Sequence, residues 1–181
     1  MKQYLIQYKP FLLFLSKFFL SYILLTLLYQ AYLSQFTTDQ MDSITCLVAS
    51  HTERLLSVFN IDFQVKYYVG EAYLRLIYNQ KYVARMIEGC NAISIVILFI
   101  AFVVSFSGKL KTTLLFIGFG VFVIYALNII RIALLCVLIF WYPAKEGLLH
   151  GVIFPLSIYG VVFILWLIWV KKYSTYAKSN S

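Results

Sequence analysis

Charge is scarce in this chain. Only 12% of its 181 residues are Asp, Glu, Lys or Arg, about half the share of an ordinary soluble domain, and just seven are acidic. Histidine occurs twice and cysteine three times, at spacings that fit no metal centre, so neither a metal nor another cofactor is expected. Glycine supplies no phosphate-binding loop, because Gly118-Phe119-Gly120 lies inside an apolar run. Repeats and low-complexity tracts are missing apart from a short polar tail after Tyr173. What fills the chain is apolar: 62% hydrophobic and 19% aromatic residues, the composition of an integral membrane protein.

Four stretches carry that apolarity. Residues 11–33 follow Lys2 and Lys9 in the manner of a signal peptide. They outrun a signal's apolar region, and no small-x-small cleavage site follows in Ala31-Tyr32-Leu33-Ser34-Gln35, so the stretch reads as a retained anchor with Lys17 snorkelling to the near surface. The stretch 91–107 has 17 residues, the lower limit for a span, and 151–170 has a comfortable 20. Between them, 112–142 has 31 residues broken by the single charge of Arg131. As a helix it measures about 46 Å against a hydrocarbon core of about 30 Å. Half of it would be too short to span, which predicts one crossing with an overhanging or broken end. The expected fold is an all-α polytopic membrane protein, a single domain over 1–181 with about four transmembrane helices.

Four crossings put both termini on the side of the short 107–111 loop. That side holds Lys2, Lys9, Lys17, Lys109, Lys111, Lys171, Lys172 and Lys178 with no acid, while the other seven basic residues and all seven acids lie opposite. The net charge of +8 therefore comes wholly from one side, which the positive-inside rule makes cytoplasmic, with 171–181 as a polar cytoplasmic tail. Topology accounts for the basic balance. The implied partner is the lipid bilayer, and no nucleic acid is called for.

The extracytoplasmic segment 34–89 has 56 residues, too few for a large core of its own, and is expected to rest on the membrane helices. Its first half sets Ile44, Leu47, Val48, Leu55, Val58 and Phe59 on one face at helical spacing after Thr38-Asp39 as caps, with His51 near that face as a structural residue. Its second half alternates, with Leu74, Leu76 and Tyr78 against Arg75 and Ile77, then Tyr82, Ala84 and Met86 against Val83, Arg85 and Ile87. With Asn79-Gln80 as a tight turn, that pattern predicts a β-hairpin delivering the chain to Cys90. Pro143, Gly147 and Gly151 punctuate an external loop before the last helix, and Pro155 falls in that helix's first turn.

Cys90 stands at the seam between the alternating segment and the apolar run from Asn91. A helix N-terminus presents unpaired N–H groups whose partial positive charge favours a thiolate; the plainer reading is a small buried hydrophobe. Arg131 falls about 20 residues above the cytoplasmic start of its run, and His150 immediately precedes the inward-going last helix. All three reach one side at one depth. An arginine in an apolar run is a functional candidate by default, against the alternative of a residue snorkelling to headgroups; His150 is equally readable as an interfacial residue. Asn128 shares a helix face with Arg131 at i, i+3. Cys46 lies on the same side as Cys90, so a disulfide between them competes as an explanation of both.

Glu88-Gly89-Cys90-Asn91-Ala92 opening one helix, Leu127-Asn128-Ile129-Ile130-Arg131 in the next, and His150 before the last resemble the Cys, Arg and His signature of the exosortase and archaeosortase family. The segments around Cys90 and from His150 through Tyr159-Gly160 to Trp166-Leu167-Ile168-Trp169 are most similar to the exosortase F group of Bacteroidetes. The resemblance covers roughly residues 65–171. The chain departs from the commoner Cys-Ser-Gly or Cys-Ala-Gly pattern by having Asn91-Ala92, and it has fewer crossings than longer members.

The resemblance implies a cysteine protease or transpeptidase of the bacterial inner membrane, with its active site on the periplasmic side. Its partners would be exported proteins carrying a C-terminal sorting signal, a short motif followed by a transmembrane stretch and a basic tail; a further small membrane partner is left open. Cys90 would be the nucleophile, His150 the proton shuttle, Arg131 the oxyanion donor, and Asn128 a support for Arg131 or for substrate backbone. Glu146, four residues before His150, would orient its imidazole if the segment were helical, but Gly147 argues against a helix there and favours a solvated loop carboxylate. A second reading is a non-enzymatic membrane assembly factor, which would need no thiol at position 90. A transporter is disfavoured, since Arg131 is the one ionisable group deep in the last three helices.

Overall fold

The computed structural model describes residues 8–36, 40–68, 70–106 and 108–174. They are mostly helical, with one small antiparallel sheet. Three helices are long and apolar enough to cross a membrane: α1 (Lys9–Leu33, 25 residues), α4 (Leu110–Trp141, 32 residues) and α5 (Pro143–Tyr173, 31 residues). α1 carries Pro10 in its first turn, where a fixed φ is suited, and buries none of its residues against the rest of the protein. It touches the bundle through Phe14, with its ring centroid 4.6 Å from Phe106 and 6.0 Å from Phe102.

The second expected span is shorter than the sequence suggests. α3 covers only Ile93–Ser105, 13 residues, about 20 Å of helix. Glu88–Asn91 is a tight 3-10 turn, and Ala92 takes a left-handed φ of 63°, so the right-handed helix starts after both. α3 lies close against α4: Phe99 is fully buried, and a methyl group on Gly120 would sit 2.2 Å from its ring. α5 closes the bundle with Trp166 stacked 4.2 Å from Phe102 and Trp169 at 5.0 Å from Phe116. Gly108 bridges to Ser174, so the α3–α4 connection and the end of α5 share one end of the bundle, where Lys109, Lys111, Lys171 and Lys172 gather. α5 is helical from Pro143 to Tyr173. The expected loop before it is therefore helical, and Lys171 and Lys172, assigned to the polar tail, belong to its last turn.

At the other end, α4 answers for its own length. It is one unbroken helix, and its overhang is the floor of a small head: Ile132, Ala133 and Cys136 join Val48, Leu56, Leu76 and Met86 in one core, and Tyr78 meets Phe140 at 4.6 Å. Its last turns are thus packed against protein.

The head begins with α2 (Ser43–Val58). Thr38-Asp39 lies outside the described residues; the cap is Asp42, which accepts from the Thr45 N–H at 2.9 Å and from the Thr45 hydroxyl at 2.6 Å. The helix stands where expected, but its buried face does not. Thr45, Val48, Ala49, Thr52 and Leu56 are buried, whereas Leu47, Val58 and Phe59 are exposed. Small side chains let α2 approach α4 closely, and the threonine hydroxyls find partners, Thr45 on the Asp42 cap and Thr52 donating to the Val48 carbonyl at 2.8 Å. His51 holds a structural place, its Nδ1 2.6 Å from the Tyr125 hydroxyl on α4.

The expected hairpin is part of a three-stranded sheet, β1 (Phe63–Tyr67), β2 (Leu74–Tyr78) and β3 (Lys81–Met86), in that order. Asn79 and Gln80 take φ of 46° and 61°, the two-residue turn that matches strand twist. Alternation in β3 breaks once. Ile77 pairs with Tyr82 but Leu76 with Ala84, so Val83 is a bulge that turns toward the core while Tyr82 is exposed.

Candidate functional site

A cavity of about 580 Å³ opens between β3, α4 and the start of α5, and its wall holds Cys90, Arg131 and His150 together. Residues Tyr82 to Ile87 form one side; Ile132, Leu135 and Ile139 of α4 form the floor; Glu146 and His150 of α5 form the other side. Side chains separated by 41 and 19 positions in the sequence thus meet in one cleft, at the end of the bundle away from Gly108.

Each element delivers its residue for a local reason. Cys90 sits in the Glu88–Asn91 turn, closed by the Cys90 N–H bonding to the Ile87 carbonyl at 2.9 Å. It does not open α3 itself. Asn91 secures the approach: its Oδ1 accepts from the N–H of Ile93, the first residue of α3, at 3.0 Å, while its Nδ2 donates to Tyr29 of α1 at 2.8 Å and Thr45 of α2 at 3.1 Å. One buried amide therefore fixes the half-buried thiol relative to three helices. The sequence offered Asn91 only as a departure from a motif; its value lies in contacts 62 and 46 residues away.

Asn128 is fully buried and donates through Nδ2 to the carbonyl of Cys90 at 2.8 Å. In the structure its amide nitrogen is spent on the backbone of Cys90 and not on Arg131. One turn on, Arg131 lies where α4 leaves the bundle for the head, half-buried, with its Nε buried and bonded to no protein acceptor. Asn128 Oδ1 is buried and unpaired as well. Buried polar atoms are rarely left so; Tyr32, Trp166 and Trp169, which do not line this cavity, each carry another.

His150 is exposed and lies in a wide π-type turn, Leu149–Ile153, a distortion often found at functional sites. Glu146 is one turn earlier on the same helical run and lines the same cavity, so it is a helix residue of the cleft and not a loop carboxylate.

The remaining thiols stand apart. Cys46, Cys90 and Cys136 are all free. Burial, and next the Asp42 carboxylate, push the Cys46 thiol above its ordinary pKa. Cys136 is wholly buried in the core between α4 and the head. Among the described residues no group of three His, Cys, Asp or Glu side chains is arranged to hold a metal.

An arginine beside a half-buried thiol, a histidine across an open cleft and an edge strand leading to the thiol make a constellation suited to acyl transfer. No protein-family model, no curated protein and no solved structure matches the chain.

Proposed function

We propose that this protein is an exosortase-like cysteine peptidase or transpeptidase embedded in the bacterial inner membrane. The observation that carries the reading is the convergence of Cys90, Arg131 and His150, from three separate segments, on one cavity. The substrate is an exported protein held by a C-terminal anchor helix, and the cleaved bond lies between its exported part and that anchor. α1, α4 and α5 cross the bilayer, and α3 makes a fourth, short crossing that sets Cys90 at or just beneath the outer surface, the depth at which such a junction lies. The clustering of Lys109, Lys111, Lys171 and Lys172 at the opposite end supports a cytoplasmic assignment there, with both termini on that side.

In the mechanism, Cys90 Sγ attacks the scissile carbonyl carbon, and the carbonyl oxygen takes the negative charge of the tetrahedral intermediate. The guanidinium of Arg131, with an N–H free of any protein acceptor, donates to that oxyanion. His150 carries the thiol's proton to the leaving amine as the C–N bond breaks, leaving a thioester. An incoming amine, hydroxyl or water then gives its proton to His150 and attacks the thioester, releasing the product and restoring the thiol. Asn128 holds the Cys90 backbone throughout.

The test is anchor removal from a co-expressed reporter bearing a sorting signal of the same organism. Wild-type chain removes the anchor and Cys90→Ala at equal membrane levels does not. Full processing by Cys90→Ala would favour the non-enzymatic assembly factor instead.

A further inference from the structure

We propose that the substrate docks on the open edge of β3, as an extended segment that adds a fourth strand to the sheet and carries its scissile bond to Cys90. The proposal rests on the peptidase reading above. The sheet's two edges are finished differently.

Backbone alternation decides which groups face outward. The Asn79 N–H bonds to the Asp62 carbonyl at 2.9 Å, next to the pair Phe63 and Tyr78, so Leu74, Leu76 and Tyr78 turn their N–H and C=O groups toward β3. Their partners Met86, Ala84 and Lys81 bond back, which leaves the N–H and C=O of Tyr82 and Arg85 turned to the outer edge. The same alternation turns the Val65 N–H off the far edge at β1, and there the Glu53 carboxylate of α2 accepts it at 3.0 Å. One edge is closed by a side chain. The other is lined by no strand among the described residues and opens onto the cavity from Tyr82 to Ile87, ending at Cys90.

An exposed edge is a liability that folds usually block with proline, a covering helix or a short strand. β3 has no proline and six residues, and the protection falls on β1 instead. The bulge at Val83 leaves the stretch nearest the thiol, Ala84 to Met86, in regular pairing. Main-chain bonds to an added strand give affinity without reading sequence, while the cavity reads side chains. Its charged walls are Arg85 and Arg131 against Glu146 alone, with His150 beside them, so the complementary segment is neutral or acidic around the cleaved bond. β3 itself runs toward Cys90, so a substrate with its N-terminal side on the sheet and its bond at the thiol runs parallel to it.

Arg85→Pro deletes the outward N–H and spares the ladder, because Arg85 and Arg75 are a pair without hydrogen bonds between them. Arg85→Ala removes the same side chain and keeps the N–H. Both are measured in the full chain on an exported reporter ending in a short polar motif, an apolar stretch of about 20 residues and a basic tail. Arg85→Pro is expected to cleave about tenfold less efficiently than Arg85→Ala, with the difference in KM. Equal efficiency overturns edge docking. A photoreactive benzoylphenylalanine at Tyr82 in the Cys90→Ala chain is expected to crosslink the reporter, and the same probe at Lys66 on β1 is not; adducts at both or at neither overturn the proposal. Cleavage by the Cys90→Ala chain removes the peptidase reading itself, whereas cleavage by wild type with equal Pro and Ala variants removes the docking alone.

Discussion

The side-chain amide of Asn128 donates to the carbonyl of Cys90 at 2.8 Å, tying the turn that carries the thiol to the helix that carries Arg131. Cys90 and Arg131, the two groups assigned to one carbonyl in the proposed mechanism, are thereby held to a common frame. Asn128→Ala strands the part-buried Cys90 carbonyl and is expected to cost about 1–3 kcal/mol of stability, read as a lower thermal midpoint in detergent. Asn128→Asp is expected to lose at least as much at pH 7, since a carboxylate cannot donate to the Cys90 carbonyl. Both variants should lower kcat of reporter cleavage more than they raise KM, because the thiol is displaced while the docking edge is untouched.

Much of this was legible in the sequence, and the part that was not has physical reasons. Hydrophobic runs and charge placement marked the apolar helices, and the alternation from Leu74 to Met86 with Asn79-Gln80 between marked the hairpin, because local pattern determines such elements. The face of α2 was misread because it is set by close packing on α4, where Thr45, Ala49 and Thr52 fit better than the larger Leu47 and Val58. β1 was missed although Phe63 and Val65 alternate with Gln64 and Lys66; five residues give a weak signal. Cys90, Arg131 and His150 were singled out by residue type, depth and the family resemblance; Asn91 was given no role and Glu146 was placed in a loop, since their settings depend on partners far along the chain or on a segment that is helical.

Ala92 holds a left-handed φ of 63° between Cys90 and α3, where glycine would pay no steric penalty. The commoner motif has glycine at this very position. Ala92→Gly is therefore expected to be tolerated, its relief of strain offsetting the loss of a buried methyl group, about 0.8 kcal/mol. Ala92→Val, with a β-branched side chain in that conformation, should cost more than about 2 kcal/mol, which thermal unfolding of the two purified variants would check.

The three thiols should separate by reagent. A neutral maleimide on the intact protein is expected to label Cys90 fastest and Cys136 only after denaturation, given that Cys136 is wholly buried. Cys46 is half-buried, and its thiol is pushed up by burial and by Asp42, so its labelling rate should keep climbing at pH values where an exposed cysteine has levelled off. Mass spectrometry of digests taken over a pH series measures all three at once. Cys46→Ser and Cys136→Ala are expected to leave reporter cleavage intact.

Topology is open to direct measurement. Reporters fused at Gly108 and after Ser181 are expected on the cytoplasmic side, and those at Cys46 and His150 on the other. The structural basis is that Gly108 and Ser174 meet at one end of the bundle while Cys90 and His150 face a cavity at the other. An exported reporter at Gly108 would overturn the orientation.

Arg131 allows a sharper test, because function and stability should move in opposite directions. A structural arginine is bonded to acceptors and its removal unfolds the site; Arg131 is half-buried with Nε paired to no protein atom, so it costs the fold solvation without full return. Arg131→Met fills similar volume without that cost and is expected to be at least as stable as wild type while losing cleavage. Arg131→Lys keeps the charge but lacks the planar fork, and the loss of oxyanion donation should lower kcat by about 100-fold with little change in KM. Measuring the thermal midpoint and cleavage for both variants separates the roles: a stable, inactive Arg131→Met supports an arginine kept for chemistry, and an unstable Arg131→Met with active Arg131→Lys would assign it to structure.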